Sequence, residues 1–286
     1  MTNNGRPYGV ISGATGFIGK FLAFHYATLG FNLILIGRDF QTLIEMKRDL
    51  ELRNEMSVKI MNLDFERNFL DEMADGVDEH LSQISFMINT IGCQDPIGPF
   101  METSDETWAN SIYVNLIVPA KLSKFFAKIL KKNGGGSIIL FGGGGVSNPR
   151  LNFSGYASSK AGLARFVETF ALELAGSHVH INMIAPGVMP SKMMNQIIDN
   201  PESSGKAEVT VAQTAISNKQ WIPTKVIELC NFLTSNNCEI TGKIISAEWD
   251  DWHEWIDHVA EINDSDLFTL RRITGKDRGL DWGAKT

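Results

Sequence analysis

Cysteine is scarce in this chain. Cys93, Cys230 and Cys238 form an odd count with no C-x-x-C and no histidine-rich neighbourhood, which argues against a disulfide framework or a zinc site and fits a reducing cytoplasm. Basic residues are outnumbered, with 26 Lys and Arg against 33 Asp and Glu and a formal charge of −7. With no Lys/Arg cluster, neither nucleic acid nor anionic membrane is an expected partner. No apolar run approaches the ~18 residues of a spanning helix. The polar Met1 to Pro7 stretch lacks the basic-then-apolar pattern of a signal peptide, so a soluble cytoplasmic protein is expected. Internal repeats and a sharp break in composition are also lacking. What is present, 43% hydrophobic and 21% charged residues in 286, suits a globular protein with a large core.

Short apolar runs alternate with helical patterns along most of the chain. Strands are expected at Tyr8 to Ser12, Phe31 to Ile36, Val58 to Leu63, Ile84 to Asn89, Ser137 to Phe141, Val179 to Ile184 and Thr241 to Ala247. Such runs are apolar throughout because a parallel strand is covered on both faces. The pattern predicts an α/β fold, a Rossmann-type doubly wound parallel sheet of about seven strands with helices on both faces. Helices are expected at about Phe40 to Arg53, Phe69 to Leu81, Asp105 to Lys131 with a bend at Pro119, Ser154 to Ala175, and Pro223 to Leu233. Asp39 reads best as the N-cap of the helix that starts at Phe40, and Ser154 as the N-cap of the helix that carries Tyr156. The segment from about 188 to 220 is polar, with Pro201 and Gly205, the composition of a mobile substrate loop.

The first strand stops at Gly13-Ala14-Thr15-Gly16-Phe17-Ile18-Gly19, and a helical pattern follows. Strand, glycine turn and helix in that order are the context in which backbone N–H groups and a helix N-terminus receive a pyrophosphate. The second strand ends in Gly37-Arg38-Asp39. An arginine there can pair with a 2′-phosphate, so NADP(H) is favoured over NAD. Tyr156 and Lys160 stand four residues apart at the start of a helical pattern and share a face. An ammonium beside a phenol is expected to lower its pKa toward neutrality and equip Tyr156 to exchange protons. Asn115 in the apolar stretch Tyr113 to Val118 calls for a buried hydrogen-bonding role.

Together these motifs resemble the short-chain dehydrogenase/reductase superfamily, over about Tyr8 to Ala247. Gly13/Gly16/Gly19, Asp64, Asn89-Thr90-Ile91-Gly92, Asn115, Tyr156-x-x-x-Lys160 and Asn182-x-x-x-Pro186-Gly187 occur in the family's order. The resemblance implies Tyr156 as general acid or base, Lys160 on the nicotinamide ribose, and Asn115 as anchor of a proton-relaying water chain. It places Gly13, Thr15, Gly16, Phe17, Ile18 and Gly19 at the pyrophosphate, Arg38 and Asp64 at the adenosine end, and Asn89 and Gly92 along that side of the cofactor. Pro186, Gly187, Val188 and Ser191 would line the nicotinamide pocket. No metal is implied. Members usually pair through the helices carrying Asn115 and Tyr156, so a homodimer or homotetramer is expected.

Three departures bear on function. The family's serine, expected thirteen residues before the tyrosine, is Gly143, within four consecutive glycines. A compensating hydroxyl from Ser147 or Ser154 is one expectation, and a backbone N–H at Gly143 another. The G-x-x-G-x-x-G spacing is that of the branch containing nucleotide-sugar epimerases and dehydratases, whereas Asn-x-x-x-Pro-Gly and the length side with the compact branch. Finally, residues 1–247 are expected to form the dinucleotide-binding domain and 248–286 an extension packed on it, opening with Trp249, Trp252 and Trp255 among four acids. Those tryptophans either pack the tail down, the favoured expectation, or wall a sugar-binding pocket. The expected function is interconversion of an alcohol and a ketone or aldehyde with NADP(H), on a small or sugar-like substrate. The alternatives are a catalytically weak cofactor-binding sensor or scaffold, and an epimerase or dehydratase that retains its nicotinamide.

Overall fold

The computed structural model describes residues 5–65, 69–218, 221–280 and 282. The first residues of the polar N-terminal stretch, the end of the expected substrate loop at 219–220, and most of 281–286 in the expected extension lie outside the described residues.

Seven parallel strands form one sheet in the order β3-β2-β1-β4-β5-β6-β7: β1 Tyr8–Ser12, β2 Asn32–Gly37, β3 Val58–Asn62, β4 Ile84–Asn89, β5 Gly136–Phe141, β6 Val179–Ala185 and β7 Ile244–Ser246. Helices α1 Phe17–Thr28, α2 Phe40–Arg53, α3 Leu70–Val77, α4 Asp105–Ile112, α5 Val118–Lys132 and α6 Ser154–Glu173 connect them. Beyond β6 come α7 Lys192–Asp199, α8 Pro201–Ser204, α9 Lys206–Ser217 and α10 Thr224–Thr234, and α11 Val259–Asn263 lies in the tail.

Side chains of a strand alternate between faces, and the core divides accordingly. Ile11, Leu35, Ile88, Ile139 and Ile184 face one layer with Leu22 and Tyr26 of α1, Leu43 and Leu50 of α2 and Leu229 of α10. Val10, Ile34, Met87, Ile138 and Met183 face the other, with Met73 of α3, Leu122 and Phe126 of α5 and Leu163 and Val167 of α6. Burying such side chains stabilises by roughly 1.5–3 kcal/mol each. Trp252 and Trp255 join the first layer, Trp252 against Phe232 of α10 at 5.7 Å between ring centroids. Trp249 is exposed.

Several local expectations are corrected. The long helix is not continuous, because residues Tyr113–Ile117 form a π-turn between α4 and α5. Phe153, not Ser154, is the N-cap residue of α6, and Ser154 is its first helical residue. Ser154 Oγ instead accepts from the Trp108 indole at 3.2 Å. The polar segment after β6 is helical, folding as α7, α8 and α9. Asp39 does cap α2, accepting from Thr42 N at 3.0 Å.

Candidate active site

Strand order reverses between β1 and β4, and in open α/β sheets ligands bind beyond the carboxyl ends of the strands at such a switch point. The Gly13 turn and the Asn89 to Gly92 turn both leave the sheet there. Ser12 Oγ donates to Asn89 Oδ1 at 2.7 Å and Thr90 Oγ1 to Ser12 O at 3.0 Å, tying the two turns together. Gly13 has φ +76°, and a Cβ there would lie 2.6 Å from Thr90 Oγ1. At Gly19 a Cβ would overlap the carbonyl of Gly13 and the backbone of Ala14. These glycines let α1 begin directly behind the turn, and its N-cap Gly16 provides no side-chain cap. The first-turn N–H groups of α1 are therefore uncapped by a side chain, as a pyrophosphate site needs. The residues present fit a dinucleotide.

Around this cradle, Thr15 lies beside Gly37, Arg38 is exposed at the end of β2, and Asp64 is exposed after β3. The Phe17 ring stands 5.8 Å from Trp221, and Ile18 packs on the core. On the opposite side, Gly187 has φ +79° and abuts Glu248. Val188 and Pro190 line a cavity of about 370 Å³ with Thr210, Val211, Thr214 and Trp221. Ser191 is the N-cap residue of α7. Among the described residues there is no cluster of His, Cys, Asp and Glu suited to a metal.

Tyr156 and Lys160 lie on the inner face of α6, with Lys160 Nζ 5.7 Å from the Tyr156 ring centroid. Lys160 Nζ donates to Phe141 O at 2.8 Å, which anchors it to the end of β5. Burial pushes the Tyr156 phenol up to about 12 and the Lys160 ammonium down to about 8. The expected lowering of the phenol by Lys160 is thus not what this arrangement produces: burial dominates, and the cation that opposes it is Arg150. Buried Asn115 accepts from Cys93 N at 3.0 Å and donates to Cys93 O at 2.8 Å, holding the turn after β4. A Cβ placed on Gly92 would lie 3.3 Å from Asn115 Oδ1, 3.3 Å from Met193 Cε and 3.8 Å from Lys160 Nζ. Asn115, Lys160 and the α7 side chain Met193 therefore meet at one point.

A Cβ on Gly143 would collide with Tyr156 Oη. The phenol occupies the space that a side chain at 143 would need. Ser147 is exposed on the loop, and Ser154 Oγ is engaged by the Trp108 indole.

Four residues at the site belong to none of the sequence motifs: Arg150, Glu208, Gln94 and Met193. Arg150 carries a signal, being the only basic residue between Lys132 and Lys160. Buried Gln94 donates to Met193 O at 3.1 Å across the site, a contact without a local sequence pattern.

The sheet, the uncapped glycine turn at its switch point and the buried tyrosine–lysine pair beside it define an α/β protein of the doubly wound class. More specifically, the chain belongs to the short chain dehydrogenase family, whose sequence model matches residues 9–202. It is 27% identical over 194 residues to the very-long-chain 3-oxoacyl-CoA reductase of Pyricularia oryzae, covering 65% of this chain and 57% of that protein. The chain thus spans little more than half the length of that reductase. To the diacetyl reductase, (S)-acetoin forming, of Staphylococcus epidermidis it is 24% identical over 251 residues, covering 84% of this chain and 96% of that protein. Among solved structures, a single-residue variant of actinorhodin polyketide ketoreductase with NADPH superposes with a TM-score of 0.74 at 19% identity, over 86% of this chain and 97% of that one. NAD+-bound xylitol dehydrogenase gives a TM-score of 0.74 at 20% identity, over 84% and 96%. The fold is thus common to proteins solved with either nicotinamide dinucleotide.

Proposed function

We propose that the chain is an NADP(H)-dependent oxidoreductase that interconverts an alcohol and a ketone or aldehyde. The observation that carries this is the Tyr156–Lys160 pair on the inner face of α6, at the carboxyl ends of strands whose switch point holds an uncapped glycine turn. The bound nicotinamide supplies the hydride. Tyr156 gives its phenolic proton to the substrate oxygen in reduction and takes it back in oxidation. Lys160, fixed by Phe141 O, would hold the nicotinamide ribose with its ammonium. Asn115 keeps the Cys93 backbone, and with it the turn after β4, in place.

Preference for the 2′-phosphorylated cofactor is supported by the end of β2. Both carboxylate oxygens of Asp39 are engaged by Thr42, at 3.0 Å and 2.6 Å, and Arg38 beside it is an exposed group able to meet a 2′-phosphate. Turnover of NADPH with a panel of ketones, 3-oxoacyl thioesters and keto-sugars tests the proposal. Loss of nicotinamide absorbance with at least one class is expected, and its abolition in Tyr156→Phe with cofactor binding intact. Absence of turnover with every class overturns it.

Gly143 favours a second reading, a protein that binds the cofactor without efficient turnover, because the serine that would share the substrate oxygen has no room beside Tyr156 Oη. Tight NADPH binding without turnover of any carbonyl supports that alternative. We further propose self-association through α5 and α6, where Leu172 is exposed and Phe166 stacks on Phe170 at 5.3 Å. Light scattering behind size exclusion measures it, and a monomer at micromolar concentration counts against it.

A further inference from the structure

A cation that the family motif does not supply stands at the catalytic tyrosine. Arg150 lies in the loop between β5 and α6, with its side chain only 13% exposed. Its guanidinium carbon is 3.8 Å from the centroid of the Phe153 ring and 5.6 Å from that of Tyr156. Its stem runs beside the glycine tract, at ordinary contact distance from where a Cβ on Gly144 or Gly145 would stand, 3.7 Å from Arg150 Cδ and 3.6 Å from Arg150 Cβ. Nε and Nη2 donate to the two carboxylate oxygens of Glu208 at 2.9 Å and 2.7 Å, and Nη1 to Gln94 Oε1 at 3.4 Å. Glu208 belongs to α9, one of the helices that follow β6. Ala212 of α9 and Ile197 of α7 pack in one buried cluster with Phe153 and Tyr156. The α7–α9 segment thus covers the tyrosine and is fastened by a carboxylate to the cation beside it.

We propose that Arg150 is a positioning residue for proton transfer at Tyr156, and that Glu208, by pairing with it, makes this support depend on the seating of the α7–α9 segment. The inference rests on the proton-transfer role given to Tyr156 above. A guanidinium beside a buried phenol stabilises the phenolate, and a carboxylate bound bidentately along its Nε–Nη2 edge cancels much of that field. The charged or titratable groups facing the phenol are Arg150 from the loop, Lys160 from α6 and Cys93 from the turn after β4. Of these, Arg150 pulls the phenol down, while burial and Cys93 push it up. Toward the tyrosine, α7 and α9 turn the apolar Ile197 and Ala212, and Glu208 acts on it through Arg150. Removing the arginine and removing its carboxylate should therefore move the phenol in opposite directions.

The test compares Arg150→Met, Arg150→Lys and Glu208→Gln with wild type in the direction of alcohol oxidation, where Tyr156 is the base and kcat rises with pH through its pKa. Arg150→Met is expected to displace this limb upward, read as an about tenfold loss at fixed pH on the limb. Glu208→Gln is expected to shift it downward, with KM raised by the loosened α7–α9 segment, and Arg150→Lys to fall between Arg150→Met and wild type. Tyrosine 13Cζ titration of the cofactor-free proteins, assigned with Tyr156→Phe, should place Tyr156 in the order Arg150→Met above wild type above Glu208→Gln. A purely structural ion pair would lower activity in both variants with no opposite displacement of the limb or the titration, and that result overturns the proposal. Should wild type turn over no substrate, the oxidoreductase proposal fails, and the order of the titrations alone decides this one.

Discussion

Gly143 and Tyr156 show how one missing side chain rearranges a site. With no Cβ at 143, the phenol settles into that space. Gly143→Ser is therefore expected to force Tyr156 aside, costing about 1–3 kcal/mol by overpacking. Urea denaturation measures the cost, and no gain in turnover should accompany the restored serine. Lys160 offers a second prediction, with a definite sign. Its ammonium drops from 10.5 to about 8 on burial, so the unfolded chain holds this proton more tightly than the folded one. Below pH 8 the folded state carries the full desolvation penalty, and stability rises as pH climbs from about 8 to 10.5. Tyr156 acts in the opposite sense at higher pH, because its phenol is raised from 10 to about 12, and the stability it contributes is lost across that window. Lys160→Met removes a penalty of roughly 3 kcal/mol at neutral pH, offset in part by about 1 kcal/mol for the bond to Phe141 O. Thermal melts should show a raised Tm at neutral pH and a smaller gain near pH ~10, with turnover lost throughout.

At the scale of elements, the strands are legible because a strand covered on both faces must be apolar along its length. Glycine turns give away the switch-point loops for an equally local reason, since only glycine tolerates the φ of +76° and the close contact at residue 13. The α4–α5 junction is not legible in the same way. The pattern predicts an unbroken helix through Asn115, but the π-turn over Tyr113–Ile117 answers to partners distant in sequence, the Cys93 backbone groups that the amide satisfies. Asn115→Ala should strand that N–H and C=O and cost about 1–3 kcal/mol for each unsatisfied group, read as a lower urea midpoint. The α7–α9 segment reads as a loop because Pro201 and Gly205 interrupt a helical periodicity that Ile197, Ile198, Val209 and Ala212 otherwise keep. Those residues reveal their purpose only against Phe153 and Tyr156.

For the molecule as a whole, the tail and the cofactor test how far the parts act together. Trp252, 3% exposed, sits in the same core layer as β1 and α10, so Trp252→Ala should cost about 3–5 kcal/mol and lower the temperature of the main unfolding transition. A separate early transition would instead mark the tail as an independent unit. NADPH at about a hundredfold over its Kd should stabilise the chain by ~2.7 kcal/mol. Differential scanning fluorimetry should show a larger shift for NADPH than for NADH, a difference that Arg38→Asp is expected to reverse. In this chain the local code was sufficient for the strands, their parallel direction, the glycine cradle and the Tyr156–Lys160 pair, because each depends on contacts within a few residues or on a periodic burial pattern. The charge environment of the tyrosine was settled by tertiary packing. Burial acts on Tyr156 and Lys160 from every side at once, and Arg150 and Glu208 stand 58 positions apart until α9 folds over the site.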